Sequence, residues 1–249
     1  MKFYILCKNE FVNISKCIES LLKAGMDIYV YDSGSVDGTI ELIRGYPVTL
    51  VPYNYSNHCD AYNDITLNEK EEYCGILDAD MELNIELAEE IELTKIKGNV
   101  IISPVQMYVE GQPLEKGSLY PPKPIVFKSG KKYFESVGHG ERLLKNVSCV
   151  HTKNKLIHND LKPYLSYLGT QVRYASNFIQ RSEQKQLTWR DKIRLSSPLL
   201  IAITPLYSLF IKGGIFSKKG WIYALDRLVA EAIMYRTSLL KKTSSKINN

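Results

Sequence analysis

Tyr31-Asp32-Ser33-Gly34-Ser35-Val36-Asp37-Gly38-Thr39 lies between an apolar, β-branched and aromatic run, Met26-Asp27-Ile28-Tyr29-Val30, and the segment Ile40-Glu41-Leu42-Ile43-Arg44. The first run reads as a strand. The last reads as the start of a helix, with Asp37 or Ser35 able to accept the free N–H groups of its first turn. A strand that ends in Asp, turns on small residues and feeds a capped helix presents Asp32 and a row of backbone amides at the carboxyl edge of a sheet. That edge is where open α/β proteins bind ligands.

Working outward, Phe3–Cys7 reads as a first strand, ended by Lys8-Asn9-Glu10. Ile14, Cys17, Ile18, Leu21 and Leu22 recur at helical spacing until Gly25. On the other side come a third strand at Val48–Val51, a helix over His58–Lys70, and a fourth strand at Tyr73–Leu77 that ends on Asp78-Ala79-Asp80. Asn84–Lys97 is a Glu-rich helix with Ile85, Leu87, Ile91 and Leu93 as its candidate buried positions. Val100–Val109 reads as one strand, with Glu110-Gly111-Gln112 as its turn. This alternation predicts an α/β fold: an open, mostly parallel sheet flanked by helices. Short strand-like pieces follow at Pro124–Lys128, Lys132–Ser136, Arg142–Lys145, Ser148–His151 and Leu156–His158, and from Lys162 the chain turns helical. The expected division is a domain over 1–185 and a helical, basic and apolar C-terminal extension over 186–249.

The chain has 249 residues and a formal net charge of +5, unevenly placed. From Arg181 onward thirteen Lys and Arg stand against four Asp and Glu, so this third is about +9 and the first 180 residues about −4. Basic character confined to one end argues against pervasive nucleic-acid binding and for a local surface facing phosphates or anionic lipid. The five cysteines form no CxxC pair and the four histidines add no zinc spacing, so a reducing compartment without a structural disulfide is expected. Phe3–Cys7 is too short for a signal-peptide core. Pro198–Ile211 is the most apolar stretch, but its 14 residues and two prolines fall short of the ~20 apolar residues of a spanning helix. It reads either as a core helix or as one lying in a membrane interface, the second favoured by flanking Arg190, Lys192, Arg194, Lys212, Lys218 and Lys219. The last helix, Gly220–Leu240, puts Trp221, Leu225, Leu228, Val229, Ala232 and Ile233 on one face, expected to pack on the domain.

Asp78 and Asp80 stand two residues apart at the end of a strand, where positions i and i+2 point the same way. Two such carboxylates can hold a hard divalent cation, with water and phosphate oxygens completing the shell. Both this pair and the Asp32 turn end strands, so both belong on the same sheet edge.

Lys8-Asn9-Glu10 after strand one, Asp32–Thr39 after strand two, Asn63 in the following helix and Asp78-Ala79-Asp80 after strand four resemble the family 2 glycosyltransferases of the GT-A (Rossmann-like) fold. Gly138-His139-Gly140-Glu141, His158, the Tyr-rich stretch Tyr164–Tyr174 and Lys212-Gly213-Gly214 resemble the small lipopolysaccharide-core glucosyltransferase branch. The resemblance implies an inverting, metal-dependent enzyme that transfers a hexose from a nucleotide diphosphate sugar, a UDP-sugar in that branch, to a saccharide or lipid-linked saccharide acceptor in lipopolysaccharide or cell-surface glycan synthesis. It implies Mn²⁺ or Mg²⁺ held by Asp80, with Asp78 and His158, bridging to the diphosphate. Lys8, Asn9, Glu10, Asp32, Ser33, Asp37, Asn63, Asp78, Ala79 and His139 would line the nucleotide-sugar site, and Lys162 and Arg173 could steady the diphosphate. Glu141 matches the family's acidic base, with Asp160 its rival. The expected location is the cytoplasm, at the inner face of a membrane.

Three other readings compete. A sugar-phosphate nucleotidyltransferase usually needs a Gly-rich loop after strand one, where this chain has Lys8-Asn9-Glu10-Phe11, and a Rossmann dehydrogenase would need G-x-G-x-x-G. A membrane-peripheral module that binds nucleotide without turnover is the non-enzymatic alternative.

Overall fold

The computed structural model describes residues 1–55, 57–137, 140–183 and 197–247, without the side chains of 96, 136–137, 140–141, 180–183 and 241–247. The chain forms two compact units: Met1–Pro113 with Tyr120–Glu135 and Glu141–Leu161, and Lys162–Asn249 with Leu114–Leu119 and Ser136–Gly140. The tyrosine-rich helix that follows Leu161 thus groups with the later helices. The expected seam near residue 185 falls outside the described residues.

The first unit is built on β1 (Lys2–Cys7), β2 (Asp27–Asp32), β3 (Thr49–Pro52) and β4 (Tyr73–Asp78), joined by α1 (Ile14–Lys23), α2 (Thr39–Ile43) and α3 (His58–Asn68). After β4 come β5 (Met81–Glu82), α4 (Ile85–Thr94), β6 (Val100–Ser103), β7 (Val105–Val109), β8 (Gln112–Pro113) and β9 (Lys123–Lys128). Then follow β10 (Phe134–Val137), β11 (Gly140–Leu143), β12 (Cys149–His151) and β13 (Leu156–His158). The main sheet has the order β12-β6-β9-β4-β1-β2-β3. β1 pairs parallel with β2 and β4, β2 with β3, and β6 with β12, while β9 runs antiparallel between β4 and β6. The α/β, mostly parallel expectation holds.

Helices α1 and α4 cover one face of this sheet. Ile14, Cys17, Ile18 and Leu21 of α1 are buried, as their spacing requires, and Gly25 ends the turn at φ 68°. On the other face α3 brings Cys59, Ala61, Tyr62 and Ile65 against Tyr4, Ile76, Phe127, Tyr133 and Phe134. Phe3 and Gly75 are directly paired across β1 and β4, and a Cβ on Gly75 would lie 2.2 Å from the Phe3 ring. That position therefore admits only glycine without repacking.

Several expectations are corrected. Val100–Val109 is two strands, not one: the chain breaks at Pro104, which has no N–H for a ladder, and β7 leaves the main sheet. It joins the small sheet β5-β13-β7-β8. Glu110-Gly111 is a two-residue hairpin turn with both φ positive, at 51° and 72°, matching the right-handed twist of its strands. In α4, Leu87 and Ile91 are buried with Ala88, but Ile85 and Leu93 face solvent. Asn84 caps that helix by accepting the Leu87 N–H at 2.7 Å. Helix α2 is short and Gly38, at φ 91°, takes its N-cap position. Asp37, one residue earlier, still accepts the Thr39 N–H of the first turn at 3.2 Å, whereas Ser35 does not reach the helix and instead bonds Asp32 and Asn9. All five cysteines are free thiols.

The second unit contains α5 (Tyr164–Glu183), α6 (Leu199–Leu206) running into a π-helical turn at Tyr207–Ile211, a 3₁₀ turn at Gly214–Phe216, and α7 (Lys218–Ile247). Ala175 and Phe178 of α5 pack on Met234 and Ile233 of α7. The face of α7 expected to pack is corrected in part: Trp221, Leu225 and Leu228 are exposed, Val229, Ala232 and Ile233 are half-buried, and Tyr223, Ala224, Ala230 and Met234 are buried. Basic residues Arg190, Lys192 and Arg194 lie outside the described residues. Among the described residues no helix is long and apolar enough to cross a membrane.

Candidate active site

Cys7 of β1 is paired with Asp32 of β2, and Leu6 with Asp78 of β4. Three loops therefore leave the sheet side by side at its carboxyl edge: Lys8-Asn9-Glu10, Ser33–Gly38 and Ala79-Asp80. The shared edge read from the sequence is present in the structure.

The first two loops are locked together. Asn9, at φ 55°, accepts the Val36 N–H on Oδ1 at 2.9 Å and donates its own N–H to Ser35 Oγ at 2.8 Å. The Glu10 N–H donates to Thr39 Oγ1 at 2.9 Å, and the Phe11 N–H to Asp37 Oδ2 at 3.2 Å. Asp32 is buried; its Oδ1 accepts the Gly34 and Ser35 N–H groups, each at 2.9 Å, and its Oδ2 accepts the Ser35 hydroxyl. Its carboxylate thus builds the turn that follows it. Burial would push the Asp37 carboxyl up, but hydrogen bonds from the Thr39 hydroxyl and the Phe11 and Thr39 amides hold it below its ordinary value. Ser33 donates its N–H to Cys7 O at 3.0 Å, and Lys8 is exposed.

Each aspartate of Asp78-Ala79-Asp80 has a different partner. Asp78 forms an ion pair with Lys123, the first residue of β9, and its other oxygen receives the Tyr62 hydroxyl at 3.5 Å and lies 3.9 Å from His58 Nδ1. Burial alone would lower the Lys123 pKa; the Asp78 carboxylate outweighs it and holds the ammonium well above its ordinary value. Ala79 is buried. Asp80 lies 3.3 Å from His158 Nε2.

That last contact is made by the small sheet. β5 pairs antiparallel with β13, setting His158 opposite Met81, and the Asn159 N–H donates to Asp80 O at 3.0 Å. Burial works against a charged His158 ring, but Asp80 outweighs it and raises the His158 pKa, with Lys123 opposing in part. The Tyr120 ring stands 4.9 Å from the His158 ring, and the buried Nδ1 has no hydrogen-bond partner among the described residues. No group of three or more His, Cys, Asp or Glu able to hold a metal occurs among the described residues. Asp80 and His158 are two donors whose 3.3 Å separation is close to the ~3.0 Å edge of an octahedron with ~2.1 Å bonds. Magnesium-type sites commonly take one or two protein ligands and complete the shell with water and substrate phosphate, so this pair fits such an ion.

Asn63 sits apart from these groups. Its Nδ2 donates to Phe134 O at 2.8 Å, and its Oδ1 accepts the N–H groups of Tyr133 and Phe134 at 2.9 and 3.0 Å. The amide clamps the entry to β10. His139 lies outside the described residues; Glu141 is on the backbone of β11, its side chain outside them.

Four residues at the site were not singled out by the sequence. His58 and Tyr62 are one helical turn apart on α3 and both reach Asp78, a spacing visible in the sequence. Asn13 is 2% exposed and directs its side chain away from the helix it precedes. It donates at 2.9 Å to Glu10 Oε2 and at 2.9 Å to Asp160 Oδ1, and accepts the Leu161 N–H at 2.8 Å. Lys123 carries no local signal, because only the antiparallel insertion of β9 sets it beside Asp78.

Comparison with known proteins bears on this arrangement. A 43-residue segment, 17% of this chain, is 46% identical to the lipopolysaccharide core biosynthesis glycosyltransferase LpsC of Rhizobium meliloti and spans 16% of that relative's length. Among solved structures, S. aureus TarS aligns at 12% identity and a TM-score of 0.46, covering 94% of this chain and 54% of that one. Glucosyl-3-phosphoglycerate synthase from Mycobacterium tuberculosis, in complex with Mn²⁺, UDP and glucosyl-3-phosphoglycerate, aligns at 16% identity and a TM-score of 0.36, covering 42% of this chain and 43% of that one. The profile of glycosyl transferase family 2 matches residues 3–158, from the first strand through the histidine beside Asp80, and the chain belongs to that family.

Proposed function

We propose that this chain is an inverting, metal-dependent glycosyltransferase that moves a hexose from a UDP-sugar to a saccharide or lipid-linked acceptor in lipopolysaccharide or cell-surface glycan synthesis. The observation that carries the proposal is the Asp80–His158 pair at the sheet edge where the two locked loops end. Family membership supports the reaction class, and the short match to a lipopolysaccharide core enzyme supports the acceptor class.

A nucleotide diphosphate is repelled by two aspartates unless a cation stands between them. Asp80 and His158 would hold Mn²⁺ or Mg²⁺, which when bound neutralises charge on the departing diphosphate. Lys123 fixes Asp78 and sets a second positive charge beside it. Lys8, Asn9, Glu10, Asp32, Ser33 and Asp37 form the nucleoside side of the site, and Asn63 acts through the 133–134 backbone it holds. An acceptor hydroxyl is a poor nucleophile at neutral pH, so a carboxylate takes its proton while its oxygen attacks the anomeric carbon. The bond to the diphosphate breaks on the opposite face and the configuration inverts. Glu141 is assigned this base role, with Asp160 as the rival.

The test is thermal unfolding with UDP, GDP and CDP, each with and without Mn²⁺, since a ligand that binds only the folded state raises the midpoint. UDP with Mn²⁺ should raise it, and Asp80→Asn should remove the metal-dependent part. No shift with any nucleotide would overturn the proposal.

A further inference from the structure

Between residues 197 and 211 the chain has no charged side chain, yet α6 and its π-helical extension lie on the surface of their unit. Leu199, Ile203, Leu206, Tyr207, Phe210 and Ile211 face solvent, from 44% to 69% exposed, and recur about every fourth residue. Pro205, Ser208 and Leu209 form the buried side. A surface helix ordinarily turns its polar side to water; this one turns an apolar stripe outward. Phe216, 85% exposed, follows it, and Trp221 and Leu225 lie exposed on the first turns of α7. Large apolar surfaces of this kind mark a contact with something other than water.

The charge around the stripe selects the partner. From 197 to 225 the only charged residues are Lys212, Lys218 and Lys219. Lys212 and Lys218 are exposed, and the Lys212 ammonium sits 5.9 Å from the centre of the Tyr207 ring. A lysine beside an aromatic at the end of an apolar stripe can bury its stem and keep its ammonium at a headgroup. Tyr and Trp rings are suited to the same boundary. A 13-residue helical run reaches about 20 Å, short of the ~30 Å of a bilayer core, so it lies on the membrane rather than through it. We infer that α6, the Gly214–Phe216 turn and the start of α7 dock on an anionic lipid bilayer, apolar stripe inserted and lysines at the headgroups. This rests on the second unit alone and stands independently of the transferase reading.

The experiment is co-sedimentation of the full chain with vesicles of phosphatidylcholine plus phosphatidylglycerol, against phosphatidylcholine alone. The wild type should sediment with the mixed vesicles and far less with the neutral ones. Ile203→Glu combined with Phe210→Glu should weaken binding about 100-fold, roughly tenfold for each apolar side chain denied burial. Lys212→Ala with Lys218→Ala should weaken it about fivefold per lysine and remove the preference for anionic lipid. Both sites are exposed, so both variants should keep the unfolding midpoint and any nucleotide-induced shift. Wild type that stays in the supernatant with both vesicles overturns the inference. So does a dimer, seen by light scattering, that the two glutamates dissolve without any vesicle binding.

Discussion

Asn13 and Asp160, 147 positions apart, are joined by a 2.9 Å hydrogen bond from the amide of one to the carboxylate of the other. The second amide proton of Asn13 goes to Glu10, so one side chain ties the loop after β1 to the segment after β13. Asn13→Ala removes two donors to carboxylates and leaves the Leu161 N–H without its acceptor. The expected loss is about 2–4 kcal/mol, a fall in Tm of roughly 5–15 °C for a chain this size. Asn13→Asp should cost at least as much, because it sets a third carboxylate between two others. Calorimetry of both variants is the check; unchanged midpoints would show that the bridge carries no stability.

The two candidate bases separate by kinetics. Glu141→Gln should abolish hexose transfer, a fall of 10²-fold or more, while leaving the nucleotide-induced Tm shift in place. Asp160→Asn keeps an acceptor for Asn13 and should reduce kcat only modestly. The reverse pattern would move the base to Asp160, and would give Asn13 a place in orienting it.

Much of this was legible in local sequence. The spacing of Ile14, Cys17, Ile18 and Leu21 encodes the buried face of α1, and the aspartates that end β2 and β4, Asp32 and Asp78, mark the sheet edge that carries the candidate site. Burial of alternate or fourth residues and the need for turns at strand ends are short-range requirements. Long-range register is not encoded that way. Nothing near Lys123 announces that β9 will insert antiparallel beside β4 and set its ammonium on Asp78. The split of Val100–Val109 depends on two sheets competing for one apolar run, with Pro104 at the break. Leu93 and Leu225 belong to apolar patterns yet face solvent, since a pattern shows that a face exists but not what covers it.

Glu90 gives an acid-stability prediction. Its two oxygens accept the Lys153 and Asn154 N–H groups at 2.7 and 2.8 Å, pinning the turn before β13 that carries His158. Burial would raise its pKa, but the Asn154 and Lys153 amides outweigh that and lower it. A carboxyl lowered in the fold contributes stability above its unfolded pKa, about 4.3. That contribution is lost as pH falls through the folded value. Glu90→Gln should therefore cost about 1–3 kcal/mol at neutral pH and little at the acid end. Urea unfolding at a series of pH values should show the two proteins converging below about pH 4. Parallel curves would remove Glu90 from this role.

The Lys123–Asp78 pair allows a double-mutant cycle. Lys123 is nearly buried while Asp78 keeps about a quarter of its side chain exposed, so each charge depends on the other unequally. Lys123→Met strands an aspartate that water still reaches in part, at an expected cost of about 1–3 kcal/mol, below the 3–5 of a fully buried pair. Asp78→Asn strands a lysine that water scarcely reaches and should cost more, because burial then acts on Lys123 without its main opposing charge and lowers its pKa. The double variant should recover much of the loss, giving a coupling of about 1–3 kcal/mol. Additive losses would mean that Tyr62 and His58, both within 4 Å of Asp78, hold the aspartate without the lysine. If Lys123 also balances charge at the nucleotide, as the proposed function requires, Lys123→Met should weaken UDP binding beyond its effect on stability. Lys123→Arg, which restores the charge in a larger group, should recover stability more fully than affinity.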